Sequence, residues 1–179
     1  LAYGAWRIDG VDAVVAQSPA VKVGMVQGNM PLKGRRNALA VHLARTEELR
    51  KKGAELVVWS EVGSSSSFTS DEYQADAKRR ITNKLRVPAI IGVMIRDKLA
   101  NPDPGGRRVR YYNSALMGDA TGNVTGRYDK QFLLMFGEYL PLGETFPILY
   151  TWSPNSGHFS PGTSFEPLPF GEHRLATMI

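Results

Sequence analysis

An α/β domain is predicted by three features of the chain. Short β-branched apolar runs have strand length, a stretch of helical period lies between the first two, and turn formers separate each element from the next. At 179 residues, 42% of them hydrophobic, there is enough chain for one domain with a sizeable core and too little for two.

Residues 1–20 show little periodicity and end in Gln17-Ser18-Pro19, which reads as a leader or linker. Val21-Lys22-Val23-Gly24-Met25-Val26-Gln27 is Val-rich and alternates at first, a strand that Gly28-Asn29-Met30-Pro31 then breaks. From Arg35 to Lys52 the period changes. Ala38, Leu39, Leu43, Thr46 and Leu49 share one side of a helix, and Gly53 stops it. Ala54 to Trp59 is a continuous apolar run, as expected of a strand buried on both faces. The serines at 64–67 read as a flexible loop, and Thr69-x-x-Glu72 as a capping box for a helix carrying Tyr73, Ala77, Ile81 and Leu85. Pro88 to Ile95 and Tyr111 to Met117 are strands joined through the Pro/Gly-rich loop at 101–106. After the turn at 118–123 a further strand covers Val124 to Tyr128. Residues 131–170 lack a sustained period and read as a long ordered loop region over a site, and His173 to Ile179 resumes as a strand.

Composition narrows the function classes. Twenty-two Lys and Arg against 17 Asp and Glu give +5, in clusters scattered along the chain. Dispersed charge of this kind reads first as solvated helix faces and loop tips, then as an anionic lipid surface, and last as a nucleic-acid surface, whose sequence signatures are missing. There is no cysteine, so no disulfide framework or thiolate metal site exists within these residues. The three histidines, His42, His158 and His173, lack ligand spacing and read as ordinary surface or core residues. Trp6, Trp59 and Trp152 read as packing residues. No metal or other cofactor is implied. No apolar run approaches the ~18 residues of a membrane span. A start at Leu1 and an end on Ala176-Thr177-Met178-Ile179 read as a piece cut from a longer protein.

Three ionisable residues stand where chemistry is usually built, at or beyond the ends of strands. Glu61 closes the apolar strand, either as a solvated strand-end carboxylate or, withdrawn from water by its neighbours, as a general base. Lys130 follows Tyr128 and precedes Phe132, and is either a surface lysine or a positive charge beside a developing oxyanion. Glu138 either pairs with that lysine or bonds backbone amides in its own loop.

Five segments taken together carry a resemblance. They are Val26-Gln27-Gly28-Asn29-Met30-Pro31, Gly53 to Glu61, Tyr111-Tyr112-Asn113-Ser114-Ala115, Tyr128-Asp129-Lys130, and Phe136-Gly137-Glu138-Tyr139-Leu140-Pro141-Leu142. In this order and at these separations, residues 21–179 resemble the N-terminal part of the nitrilase-type domain of apolipoprotein N-acyltransferases, within the carbon-nitrogen hydrolase superfamily. The resemblance implies an α-β-β-α sandwich, here incomplete, and a Glu-Lys-Cys catalytic set. Glu61 matches its general base, Lys130 its oxyanion-stabilising lysine and Glu138 a further carboxylate near the site. It also implies a phospholipid acyl donor, a lipoprotein acceptor with an N-terminal diacylglyceryl-cysteine, and no nucleic-acid partner. The expected setting is the bacterial inner membrane, with the catalytic domain on the periplasmic side of a full-length, membrane-bound protein.

Two departures from the family pattern stand out. Ser60 occupies the position before the glutamate where proline is usual, and the strand ending at Ile179 would run directly into the nucleophilic cysteine, which this chain does not contain. The segment is therefore expected to be inactive by itself. The alternatives are a fragment of a soluble carbon-nitrogen hydrolase acting as an amidase, and a nucleophile-free binding module. The Phe132-Leu133-Leu134-Met135-Phe136 stretch reads either as a loop meeting lipid chains or as a cover over the sandwich.

Overall fold

The computed structural model describes residues 2–29, 37–102 and 106–179. The expected break at Met30-Pro31, the first helix residues Arg35 and Arg36, and the middle of the 101–106 loop lie outside them. The described elements are α1 (Ala2–Gln17), β1 (Val23–Val26), α2 (Ala38–Lys51), β2 (Leu56–Trp59), β3 (Ser67–Thr69), α3 (Tyr73–Arg80), β4 (Ala89–Lys98), β5 (Val109–Gly118), β6 (Val124–Asp129), α4 (Ile148–Trp152), β7 (Leu168–Phe170) and β8 (His173–Leu175).

Among the described residues, β1 to β6 form one sheet in the order β1-β2-β4-β5-β6, with β3 also on β4. The ten-residue β4 is the axis of this arrangement. Its first two residues pair in parallel with β2, and Met94, Ile95 and Arg96 pair in parallel with β3. Its other side pairs along its whole length with antiparallel β5. Two short strands thus share one edge of a long one, and the chain between them, residues 60–66, must leave the sheet and return to it. Gly92 is where it passes. A Cβ at Gly92 would lie 2.6 Å from both the Ser60 carbonyl oxygen and the Val62 nitrogen.

Side chains alternate across the sheet with the strand period. Val57, Trp59, Ile91, Val93, Ile95 and Leu116 face α2, α3 and the turn that follows α3, where Leu39, Leu43 and Leu49, then Ala77, then Ile81 and Leu85 beyond the helix end at Arg80 meet them. Leu56, Val58, Ile90, Ala115, Met117 and Tyr128 face the opposite way and pack against Leu168, Phe170, Leu175 and Ile179 on and around the β7–β8 hairpin. The result is a helix layer, a main sheet and a two-stranded cover.

Several elements differ from the sequence expectation for local reasons. Residues 2–17 form a helix although they read as linker; none of its residues is buried, so it shows no single core-facing stripe to read. Trp6 on this helix and Trp152 at the end of α4 are exposed and pack no core, whereas Trp59 is buried as expected. The capping box does not form: Glu72 itself sits at the helix start without a side-chain cap, because Thr69 is committed to pairing with Arg96. Ser64 and Ser66 are buried in an ordered turn, with the Ser64 hydroxyl donating to the Gly92 carbonyl at 3.3 Å. The last strand ends at Leu175 rather than Ile179 and pairs with β7 in a separate antiparallel ribbon.

Gly92→Ala is expected to destabilise the protein by about 1–3 kcal/mol, the usual cost of overpacking, because backbone atoms rather than a flexible side chain meet the new methyl group. Denaturant midpoints of the two proteins check this, and an unchanged midpoint would mean that the 60–62 turn moves aside freely.

Candidate active site

Sheet topology brings two sequence-distant ends together. β2 is parallel to β4, and β6, antiparallel to β5, therefore also runs with β4, so the carboxyl ends of β2 and β6 emerge from the same end of the sheet. Glu61 follows β2 after Ser60, whose N–H continues the β1–β2 pairing by donating to the Val26 carbonyl at 3.1 Å. Lys130 follows β6, and its own N–H continues the β5–β6 pairing by donating to the Asn113 carbonyl at 2.8 Å. Backbone pairing, not loop packing, sets where both side chains start.

Glu138 arrives from the loop beyond. Its N–H donates to the Leu134 carbonyl at 2.8 Å while its carboxylate accepts from the Leu134 N–H at 2.9 Å, closing a tight turn in which Phe136 takes φ +64°. Both readings of this residue are met, since Lys130 Nζ lies 3.1 Å from each of its carboxylate oxygens. The same ammonium lies 3.3 Å from Glu61 Oε1. All three predicted site residues therefore meet at one cationic group.

Exposure separates them. The Lys130 and Glu138 side chains are 13% and 14% exposed, whereas Glu61 is 50% exposed, so its neighbours do not withdraw it from water as expected. Burial by itself would push the Lys130 ammonium down, but the hydrogen bond to Glu138 and the charges of both carboxylates outweigh it and leave Lys130 above its ordinary value. Burial acts upward on Glu138, and hydrogen bonds from the Leu134 N–H, Asn113 and Lys130 bring it below the ordinary carboxylate value.

Sequence reasoning did not single out Asn113 as a site residue. Its side chain lies inside β5, and Nδ2 donates to Glu61 Oε1 and, at 3.1 Å, to Glu138 Oε1. Two carboxylates that only accept dictate that orientation. The Asn113 Oδ1 is consequently buried without a hydrogen-bond partner among the described residues, a cost on the order of 1–3 kcal/mol borne to hold the carboxylates together. The tyrosine-asparagine-serine segment that carried the resemblance was the available signal.

A cavity of about 270 Å³ opens beside the cluster, lined by Trp59, Glu61, Gly92, Asn113 and the terminal Met178 and Ile179. Glu61 also lines a smaller polar cavity of about 200 Å³ with His42, Ser60 and Gly63. A half-exposed carboxylate beside a fixed ammonium can take a proton while the positive charge holds a developing negative oxygen. Of the histidines, His42 is a core residue at 1% exposure, His158 stacks on Tyr150 and His173 lies exposed in β8. Among the described residues no three potential ligands cluster as a metal site would require.

The profile of the carbon-nitrogen hydrolase family matches residues 22–166. The chain belongs to that family. Within it, the chain is similar to proteins named apolipoprotein N-acyltransferase. The Geobacter metallireducens protein is 28% identical over 165 residues, covering 88% of this chain and 30% of that protein. The Mycolicibacterium smegmatis protein is 31% identical over 160 residues, covering 80% of this chain and 26% of that protein. The chain thus spans about a third or less of the length of these relatives. Its fold is that of solved carbon-nitrogen hydrolases. The Helicobacter pylori G27 enzyme superposes with TM-score 0.57 at 21% identity, over 88% of this chain and 50% of that one. A Nesterenkonia sp. AN1 amidase variant in complex with acrylamide gives 0.57 at 17% identity, over 90% and 56%. The α, β and second β layers seen here correspond to part of the expected nitrilase-like sandwich.

The charge cluster carries its own pH signature. Lys130 stabilises the fold fully below the unfolded lysine value of 10.5 and loses that contribution as pH rises through its raised folded value. Glu138 contributes above the unfolded value of 4.5 and loses it as pH falls through its depressed folded value. Lys130→Met is therefore expected to cost about 1–3 kcal/mol near neutral pH, and less at an acid pH below the depressed Glu138 value, where that carboxylate no longer carries the charge that Lys130 balances. Urea midpoints at the two pH values check this; a cost independent of pH would assign the loss to packing alone.

Proposed function

We propose that the chain is the Glu-Lys part of an apolipoprotein N-acyltransferase site, and that the observation carrying this reading is the single ammonium of Lys130 shared by Glu61 and Glu138. The similarity to proteins of that name supports acyl transfer over amide hydrolysis, as does the rim of exposed apolar side chains, Phe132, Leu134, Met135 and Phe136, in the loop between Lys130 and Glu138. That rim projects outward instead of covering the sheet, which suits a substrate with lipid chains.

In this reading Glu61 takes the proton from a cysteine thiol, and the thiolate attacks the ester carbonyl of a phospholipid. The oxyanion forms beside Lys130, which neutralises it without giving up its proton. Collapse expels the lysophospholipid alkoxide, which takes the proton back from Glu61, and leaves a thioester. The amino group of a lipoprotein's N-terminal diacylglyceryl-cysteine then attacks, Glu61 accepts its proton, and the amide product leaves with the thiolate restored. Splitting the transfer into two acylations is covalent catalysis. Glu138 and Asn113 hold the lysine and the base without touching the acyl group.

The nucleophile is the element residues 1–179 do not hold, since none of them is cysteine. The family pattern puts that residue directly after the segment that Leu175 to Ile179 resembles, and Met178, Ile179 and Glu61 line the same cavity, which supports a thiol delivered there by following chain. The setting proposed is the bacterial inner membrane with this domain on the periplasmic side, although no helix among the described residues is long and apolar enough to cross a membrane.

Acyl transfer from a labelled phospholipid to a diacylglyceryl-cysteine peptide, measured on the full-length protein, tests the reading. Glu61→Gln is expected to lower kcat by ~10²–10⁴-fold, the range for removing a general base. Lys130→Met is expected to lower it by at least ~10²-fold, as for an oxyanion donor. Residues 1–179 alone are expected to give no transfer above background. Amide hydrolysis without acyl transfer by the full-length protein would replace the reading with that of an amidase.

A further inference from the structure

The turn that carries Glu61 is strained. Val62, the next residue, has φ +47°, and Ser65 has φ +50°. A β-branched residue is strongly disfavoured in the left-handed region and persists there only where its surroundings over-determine the backbone. The residues on either side of this strain therefore need anchors.

Helix α2 supplies two, one turn apart on the same face. Thr46 Oγ1 accepts from the Trp59 indole N–H at 2.8 Å, and the His42 ring lies against the Trp59 ring with centroids 4.9 Å apart. His42 Nδ1 lies 2.8 Å from the Ala38 carbonyl oxygen. A carbonyl only accepts, so Nδ1 carries a proton, and in the tautomer with that proton alone Nε2 is the acceptor. That nitrogen is 3.5 Å from the Ser60 hydroxyl, which has the proton to give it. Gly63 closes over the contact. Its N–H donates to the Ser60 carbonyl at 2.9 Å, and a Cβ there would come within 2.7 Å of both His42 Nε2 and Ser60 Oγ.

We propose that Ser60 and His42 are positioning residues for Glu61: their side-chain bond ties the strained turn to α2 and keeps the Glu61 carboxylate within reach of Lys130 and Asn113. The proposal rests on the reading of Glu61 as general base. Ser60 serves the turn twice, because its backbone N–H also reaches Val26, so a proline at this position would lack both bonds. The Ser60 hydroxyl does not contact the reacting atoms in this account, and its effect passes through Glu61.

The test uses the full-length protein in the acyl-transfer assay, with Glu61→Gln as reference. Ser60→Ala is expected to lower kcat about 10-fold with KM within about twofold, the scale expected when a reacting group is misplaced by less than an ångström. Ser60→Thr, which keeps the hydroxyl, restores kcat. His42→Phe keeps a ring against Trp59 but removes the acceptor, and the Ser60→Ala, His42→Phe double variant is expected to be no slower than the slower single one. If Glu61→Gln is inactive while Ser60→Ala keeps wild-type kcat, or if threonine fails to rescue it, the positioning role is overturned and the general-base reading stands. If Glu61→Gln is fully active, the general-base reading falls and the positioning role with it.

Discussion

The long strand β4 is the constraint on which the site depends. One of its edges is divided between β2 and β3, so the chain linking them is forced out of the sheet in mid-edge and turned back within seven residues. That detour carries Glu61. A loop so short, pinned at both ends by parallel pairing and pressed on Gly92, has few conformations open to it, which is how a strained Val62 is tolerated. The other half of the site is fixed by the same device, since Lys130 begins where the β5–β6 pairing ends. Precision at the site is thus inherited from hydrogen bonds of the sheet, which are shared by many residues and hard to displace singly.

The electrostatics follow from that geometry. Two carboxylates face one ammonium and one carboxamide, so the cluster carries a formal excess of one negative charge, and Asn113 lets the carboxylates sit close without a second cation. Glu138 is enclosed and bonded to the Leu134 N–H, Asn113 and Lys130, while Glu61 is open to solvent on one side. Two chemically identical side chains thus stand in unlike surroundings.

Much of this was legible in the chain. β1, β2, β4, β5 and β6 announce themselves by β-branched runs between turn formers, and α2 by the spacing of Leu39, Leu43, Thr46 and Leu49. Strand β3 did not, because three residues carry no period and Ser67-Phe68-Thr69 is a strand only by virtue of the free half-edge of β4. Glu61 and Lys130 could be named as candidates because each follows a strand, whereas the loop residue Glu138 was named beside them without any strand to place it. Asn113 was not, since an asparagine within a strand gives no local sign of two carboxylates meeting it from 52 and 25 residues away. His42 and Ser60 likewise meet only once α2 is laid on the sheet, and a histidine on a helix face reads as ordinary packing until then.

The Glu138 carboxylate is also a mechanical part. One of its oxygens clasps the Leu134 N–H, and both lie against the Lys130 ammonium, so the loop bearing Leu134, Met135 and Phe136 hangs from the same group that sets the charge around the lysine. Those loop side chains face outward, where an apolar body can push on them. Any force that shifts the loop therefore pulls on a counterion. The loop's outward apolar side chains and the charge around Lys130 are thus joined through one carboxylate.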